Sequence, residues 1–396
     1  MTDTLFKRSL VDTIAGRARE PRRFIQIVAG PRQTGKTTAI LQAVNQLDIM
    51  FTYFSFDDER DITAEKLRTV WDAARSSIRS TNDHILILDE IHRIPQWSST
   101  IKALWDEDTR LDCRLKVILS GSSPLLLRKG LKESLAGRFE IIHSPHWSLW
   151  ECMQAFGYTL EDYLCFGGYP GAAPLKDDAL RWATYLREAI IEPTLTKDVL
   201  FMEEVRKPSV LAELFYLGAA YSSQEISYRK LLGQLQDAGN TDTIANYLKL
   251  LANAGILAAL FKYDEKLINV RSSSPRLMVF DPSLLTVATG RSKDELLGEG
   301  ELRGHVIESA VGAYLLARSK TDGFELFWWR DGGNEVDFVL SKGTKRTAIE
   351  VKSGRIKRRT GIRRFLEEYP GTYALIIDNS NINIEDFLLG KVPLFQ

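Results

Sequence analysis

The stretch 25-IQIVAGPRQTGKTTAILQAV-44 decides how this chain is read. A β-rich apolar run leads into a glycine-bounded loop, and a helix-forming run follows. Gly30, Pro31, Arg32, Gln33, Thr34, Gly35, Lys36 and Thr37 fit G-x-x-x-x-G-K-[ST] at every fixed position, the Walker A pattern. Its glycines let successive backbone N–H groups turn inward onto phosphate oxygens. The helix that starts at the loop aims its positive end at the same anion. Lys36 is expected to neutralise β/γ-phosphate charge, and Thr37 to hold the Mg²⁺ that bridges those phosphates. With Thr38 these residues form the expected binding set for ATP.

The rest of the composition bounds the surroundings. The 396 residues carry 52 basic and 52 acidic side chains, so no global field drives the chain toward nucleic acid or membrane. Any such site must be local. A hydrophobic content of 44% and a charged content of 26% suit a soluble globular protein, and the length suggests two or three domains. Cys113, Cys152 and Cys165 show no paired spacing, which argues against a disulfide framework or zinc site and fits a reducing cytoplasm. There is no signal-peptide pattern, and no apolar run approaches the ~20 residues that span a bilayer. A cytoplasmic location and no membrane partner are expected.

Residues 1–150 read as one α/β domain. A helix is expected over 6–16, strand one over 24–29, a helix over 39–47, a buried aromatic strand over 51–58 and a helix over 65–80. The segment 84-HILILDEIHRIPQW-97 is an apolar run ending in Asp89-Glu90. Buried parallel strands look like this, and their C-terminal ends are where such sheets place ligands. Asp89 is expected to bind Mg²⁺ through water, and Glu90 to polarise an attacking water, which a hydrolase needs. A further strand, 115-LKVILSG-121, runs into Ser122, which either touches the γ-phosphate or water or forms a plain turn. Arg138 precedes another strand. It either reaches a neighbouring subunit's γ-phosphate as a finger or makes a surface salt bridge.

Five strands, an acid pair and a polar strand tip make the pattern of an additional-strand ATPase. The blocks GPRQTGKTT (30–38), LDEIHRIPQW (88–97), SGSSPLLL (120–127), LAGRFE (135–140) and HWSLWE (146–151) together resemble the AAA+ superfamily. More narrowly, the chain is similar to bacterial and archaeal stand-alone AAA ATPases that carry a C-terminal domain of unknown function. The resemblance implies an ATP-hydrolysing protein and allows a homo-oligomer.

Residues 151–290 read as a helical adaptor. The loop 166-FGGYPGA-172 contains a Gly-Gly-x-Pro block without an assignable role. Helices are expected over 180–195 and 208–221. The order that follows is a helix within 222–235, a break at 237–240, a helix from Thr241 and a β-like pair near 258–263 and 277–280. It predicts a winged helix-turn-helix. The helix at Thr241 either reads DNA or packs. It carries only Lys249 as a base, while the wing adds Lys262, Lys266, Arg271 and Arg276.

Residues 291–396 alternate helix 304–319, strands 324–330, 335–341 and 346–352, helix 359–369 and strand 373–378. Glu308, Asp337 and Glu350-Val351-Lys352 resemble the PD-(D/E)xK nuclease superfamily in order and type. Residues two apart on a strand share a face, so Glu350 and Lys352 can meet Asp337 from the neighbouring strand. Hard oxygen ligands suit Mg²⁺ or Mn²⁺. Asp337 and Glu350 would hold the metal, Glu308 would complete or orient its shell, and Lys352 would position the nucleophile. A nuclease fold can also persist as a gripping module. Lys352, Arg355, Lys357, Arg358, Arg359, Arg363 and Arg364 form a basic run, either a solvated helix face or a patch suited to nucleic-acid phosphate. Of Trp328 and Trp329, alternation puts one in the core and leaves the other to pack or to stack on a base.

The expected architecture is therefore an α/β AAA+ additional-strand P-loop domain, a helical/winged-helix middle and a restriction-endonuclease-like α/β domain. The expected partners are ATP, Mg²⁺ and nucleic acid, DNA ahead of RNA. Two alternatives stay open: an ATP-dependent DNA-binding switch with an inactive nuclease-like domain, or a signalling or scaffold ATPase whose C-terminal half binds protein.

Overall fold

The computed structural model describes residues 6–57, 62–78, 83–121, 135–199, 205–265, 273–298, 300–352, 360–378 and 380–396. Ser122, Lys266, Arg271 and the basic residues Arg355, Lys357, Arg358 and Arg359 lie outside them. The chain divides into two compact units, Met1–Pro145 and His146–Gln396. The middle and C-terminal parts expected as separate domains thus share one unit.

The first unit is built on a five-stranded parallel sheet. In chain order its elements are α1 (Ser9–Arg19), β1 (Ile25–Ala29), α2 (Lys36–Val44), β2 (Met50–Ser55) and α3 (Ala64–Ser76). These are followed by β3 (His84–Asp89), α4 (Trp97–Arg110), β4 (Leu115–Gly121) and β5 (Phe139–His143). The strand order is β2-β3-β4-β1-β5, so β4 lies between the loop-bearing β1 and the acid-bearing β3. β1, β3 and β4 are buried along their whole length. That burial explains their unbroken apolar sequences. Helices α1 and α2 cover one face through Leu10, Val11, Ile14, Ile40 and Val44. Helices α3 and α4 cover the other through Leu67, Trp71, Ile101 and Leu104. β2 differs from expectation: it is half-buried, because it is the edge strand and pairs only with β3.

In the second unit, α5 (Leu149–Phe156) and α6 (Leu160–Phe166) each open on a capping box, Ser148 with Glu151 and Thr159 with Asp162. The helix expected over 180–195 begins as α7 (Ala179–Tyr185) and continues largely as π-helical turns over Leu186–Ile191 and Thr194–Val199. Next come α8 (Pro208–Ala220), α9 (Tyr228–Gln234) and α10 (Thr241–Ala254). Asn240 caps α10, and left-handed Gly255 ends it. Its buried face contains Ile244, Tyr247, Leu248 and Leu251. An antiparallel pair, β6 (Leu257–Leu260) and β7 (Arg276–Val279), follows.

The Gly-Gly-x-Pro block now has a structural role. The Gly168 amide donates to Asp281 at 2.7 Å, and a Cβ on Gly167 would lie 1.9 Å from an Asp281 oxygen. Asp281 in turn caps α11 (Pro282–Thr289), so the two glycines let the loop close on a buried carboxylate.

After α12 (Lys293–Gly298) and α13 (Gly300–Asp322) comes a four-stranded sheet. It contains β8 (Glu325–Asp331), β9 (Asn334–Lys342), β10 (Lys345–Val351) and β11 (Tyr373–Ile377), ordered β11-β10-β9-β8. β8, β9 and β10 are antiparallel, whereas β10 and β11 are parallel and joined through α14 (Thr360–Glu368). α15 (Ile384–Leu388) follows β11. The register of β8 shifts between Phe327 and Trp329, and this irregularity turns both tryptophans inward. Trp328 is 1% and Trp329 2% exposed, so neither is presented for base stacking. Lys262 bridges to Trp328 in parallel, joining the β6 extension to the edge of this sheet. Among the described residues, no helix is long and apolar enough to cross a membrane.

Candidate functional site

The loop between β1 and α2 has the conformation its glycines require. Gly35 is left-handed with φ 81°. Gly30 lies so close to the strand end that an added Cβ would stand 2.0 Å from the Ser144 carbonyl. Lys36 is buried and donates to the Gly30 carbonyl at 3.1 Å and the Pro31 carbonyl at 2.6 Å. The lysine therefore rests on the loop it serves. Thr34 Oγ1 donates to the Pro31 carbonyl at 3.1 Å. Gln33 has a positive φ of 58°, Arg32 flanks it, and Thr38 is exposed on the first turn of α2. Arg8 braces the loop from below, donating to the Thr34 carbonyl at 2.9 Å and the Pro145 carbonyl at 3.1 Å. A basic residue near the start of a helix gives no sequence signal for that task.

The tip of β3 meets this loop. Thr37 Oγ1 donates to Asp89 Oδ2 at 2.7 Å. Tyr53 on the edge strand donates to the same oxygen at 3.1 Å, and Ser120 at the tip of β4 donates to Asp89 Oδ1. Ser122, expected to touch the γ-phosphate or water, lies outside the described residues; Ser120, two positions earlier in the chain, holds Asp89. Alternation along β4 could have pointed to it. Thr37 and Asp89 are hard oxygen donors of the kind Mg²⁺ takes, and their pairing fits that ion. Glu90 follows in a left-handed conformation, φ 52°, and its carboxylate lies 3.3 Å from His92 Nδ1. A non-glycine residue held there stores strain, which clusters at functional sites. Arg138 is bound within its own unit: Nε and Nη2 donate to Asp106 at 2.7 and 3.1 Å. That bidentate pair raises the Arg138 pKa and lowers that of Asp106.

The second constellation lies in the C-terminal sheet. Asp337 on β9 accepts from the Val351 amide at 2.7 Å. Lys352 Nζ lies 2.6 Å from Glu350 Oε1. Glu308 on α13 feels the charges of Asp337, Arg276 and Lys352. Burial pushes Glu308 up to about 8, with the Asp337 charge adding to the rise. Burial works against the charge on Lys352, but the Glu350 hydrogen bond and the Asp337 charge outweigh it and raise its pKa. Direct contacts thus tie Lys352 to Glu350 and the Val351 amide to Asp337, while Glu308 is linked to them through charge.

Their chemistry suits a divalent cation: three hard-oxygen acids, with Glu350 Oε2 buried and lacking a hydrogen-bond partner. Yet among the described residues no three carboxylate, histidine or cysteine side chains are grouped as a metal shell. Protein cations stand among these acids instead. Besides Lys352, Arg276 from β7 pairs with Glu335 and Asp337. Arg276 was expected in the DNA-facing wing and is instead buried, because β7 turns it toward the sheet.

Comparison with known proteins gives matches along most of the chain. Residues 22–153 match a family model described as an AAA domain. Residues 157–295 match a domain of unknown function, DUF8612, and residues 303–389 another, DUF4143. No curated protein matches the chain. Among solved structures, the Walker-type ATPase paby2304 of Pyrococcus abyssi is similar at 16% identity. The match covers 73% of this chain and 97% of that one, with a TM-score of 0.47. AMPPCP-bound DnaA from Aquifex aeolicus is similar at 14% identity over 61% and 85% of the two chains, with a TM-score of 0.31. The family match and the parallel sheet that carries the phosphate loop together identify residues 22–153 as an ATPase domain of the AAA type.

Proposed function

We propose that the chain is a Mg²⁺-dependent ATP hydrolase whose C-terminal half handles nucleic acid, DNA ahead of RNA, through a nuclease-like site. In this reading, residues 1–150 bind and hydrolyse ATP, 151–290 form an adaptor with a winged helix, and 291–396 carry the nuclease-like site. A cytoplasmic setting belongs to the same reading. A homo-oligomer enters it only in so far as Arg138 leaves Asp106 to act across subunits.

Backbone N–H groups of the loop from Arg32 to Gly35 would receive the phosphates, and Lys36 would exchange the loop carbonyls for phosphate oxygens. Thr37 and Asp89 would hold Mg²⁺, which when bound neutralises charge developing between the β- and γ-phosphates. Glu90 would take the proton of the attacking water. Tyr53 and Ser120 would keep Asp89 in place.

The observation that carries the nucleic-acid part is the pairing of Asp337 on β9 with the end of β10, where the Val351 amide donates to Asp337 and Lys352 pairs with Glu350, in a unit ordered helix, three antiparallel strands, helix, parallel strand with Glu308 on the first helix. Glu308, Asp337 and Glu350 would hold a divalent cation, which when bound lowers the pKa of a water. Lys352 would position that water. The test is nicking of supercoiled plasmid with Mg²⁺ or Mn²⁺, comparing wild type with Asp337→Ala. Nicking lost in the variant supports the reading; no nicking by the wild type removes cleavage and leaves a gripping role.

One observation favours a protein partner for this half of the chain. A groove beside the start of α10 is lined by Asp242, Asp264, Glu265 and Glu325, with Phe261 and Tyr263. Carboxylates there repel phosphate, so α10 is poorly suited to enter a DNA groove. Failure to bind any DNA at low salt would support the scaffold reading, in which this half binds protein.

A further inference from the structure

Arg276 is the first residue of β7, paired with Leu260 on one side and bridged to Glu225 on the other. It is 2% exposed. Its guanidinium pairs with Glu335 and lies 3.5 Å from Asp337 Oδ1, with the Asp337 carbonyl at 3.4 Å. The Trp328 ring lies 5.2 Å away. A guanidinium is taken out of water at high cost unless carboxylates compensate it, so these two acids are what allow it to be there. The arrangement is braced from behind: Arg330 joins Glu335 to Glu225.

The consequence lies in the charges around Asp337. Lys352 already holds one oxygen of Glu350, and Arg276 already holds Asp337. A divalent cation on Asp337 would stand within a few ångströms of a guanidinium charge in a poorly solvated site. Like charges at that separation repel strongly even at an effective dielectric of about 20. The two cations cannot share the carboxylate in this arrangement.

We propose that Arg276 is a built-in competitor at the cation site: a divalent ion takes Asp337 only when the guanidinium leaves it. This inference rests on the metal-site reading given above and names how that site is controlled. Because β7 pairs with β6, which directly follows α10, whatever moves this pair also moves the competitor. The nuclease-like site is then held closed by the adaptor rather than by its own strands.

The test is Mn²⁺ binding by the full-length protein without nucleotide, followed by electron paramagnetic resonance. It compares wild type, Arg276→Gln and the double variant Arg276→Gln/Asp337→Ala. The expected result is a site in Arg276→Gln about tenfold tighter than in wild type, the size of an ordinary coupling between exclusive occupants, and absent from the double variant. Arg276→Lys guards against a folding failure. It keeps a charge but lacks the planar fork that spans two carboxylates, and should fall between wild type and Arg276→Gln. Asp337-dependent binding of equal strength in wild type, Arg276→Gln and Arg276→Lys overturns the competition while the metal site stands. No Asp337-dependent binding in any of them overturns the metal site and the competition together.

Discussion

Asp89 accepts from Thr37, Tyr53 and Ser120 at once, and three hydroxyls from three elements leave its carboxylate one orientation. That is the pre-organisation a metal-binding acid needs. Glu90 next to it is differently held, in a left-handed backbone beside His92. The difference separates their roles. Glu90→Gln should keep nucleotide affinity within about twofold and lower turnover by 10²-fold or more, the usual range for a lost general base. Equilibrium binding of a fluorescent ATP analogue, set beside steady-state phosphate release, reads both quantities. Unchanged turnover would remove Glu90 from the chemistry. Most of this nucleotide site was legible in the sequence, because a phosphate loop and an acid-tipped strand impose local constraints. Arg8 and Tyr53 were not: each acts through a contact that chain spacing does not encode.

At the scale of elements, the period of the pattern sets what is legible. The buried strands β1, β3 and β4 and the amphipathic α10 lie close to where their apolar residues predict. β2 failed as a buried strand because edge position is a property of the sheet, not of the strand. Trp328 and Trp329 failed the alternation rule because the irregularity in β8 breaks it. The Gly-Gly-x-Pro block needed a partner more than a hundred residues on, Asp281. Burial raises the Asp281 carboxyl to about 6, against the hydrogen bonds from Ser283 and Gly168. Its folded value lies above the ordinary 3.8, so its contribution to stability is full below that value and lost as pH rises through about 6. Asp281→Asn keeps a capping oxygen and cannot ionise. Between pH 4 and pH 6, wild type should lose stability relative to this variant by up to about 1.4 kcal/mol per pH unit. Parallel pH profiles of the two in urea titrations would refute the assignment.

For the whole molecule, the chain combines an AAA-type ATPase domain with a second unit containing the carboxylate cluster. The arginine that holds this cluster comes from a strand 61 residues earlier, which no local motif could reveal. The proposal that ATP hydrolysis is linked to nucleic acid joins these parts. Its most direct measurement is Mg²⁺-dependent ATP turnover by the full-length protein, with and without DNA at low salt, using Lys36→Ala as the zero. The account predicts turnover that DNA raises several-fold and that Lys36→Ala abolishes. Turnover that survives Lys36→Ala, or that DNA leaves unchanged at every concentration, would contradict it.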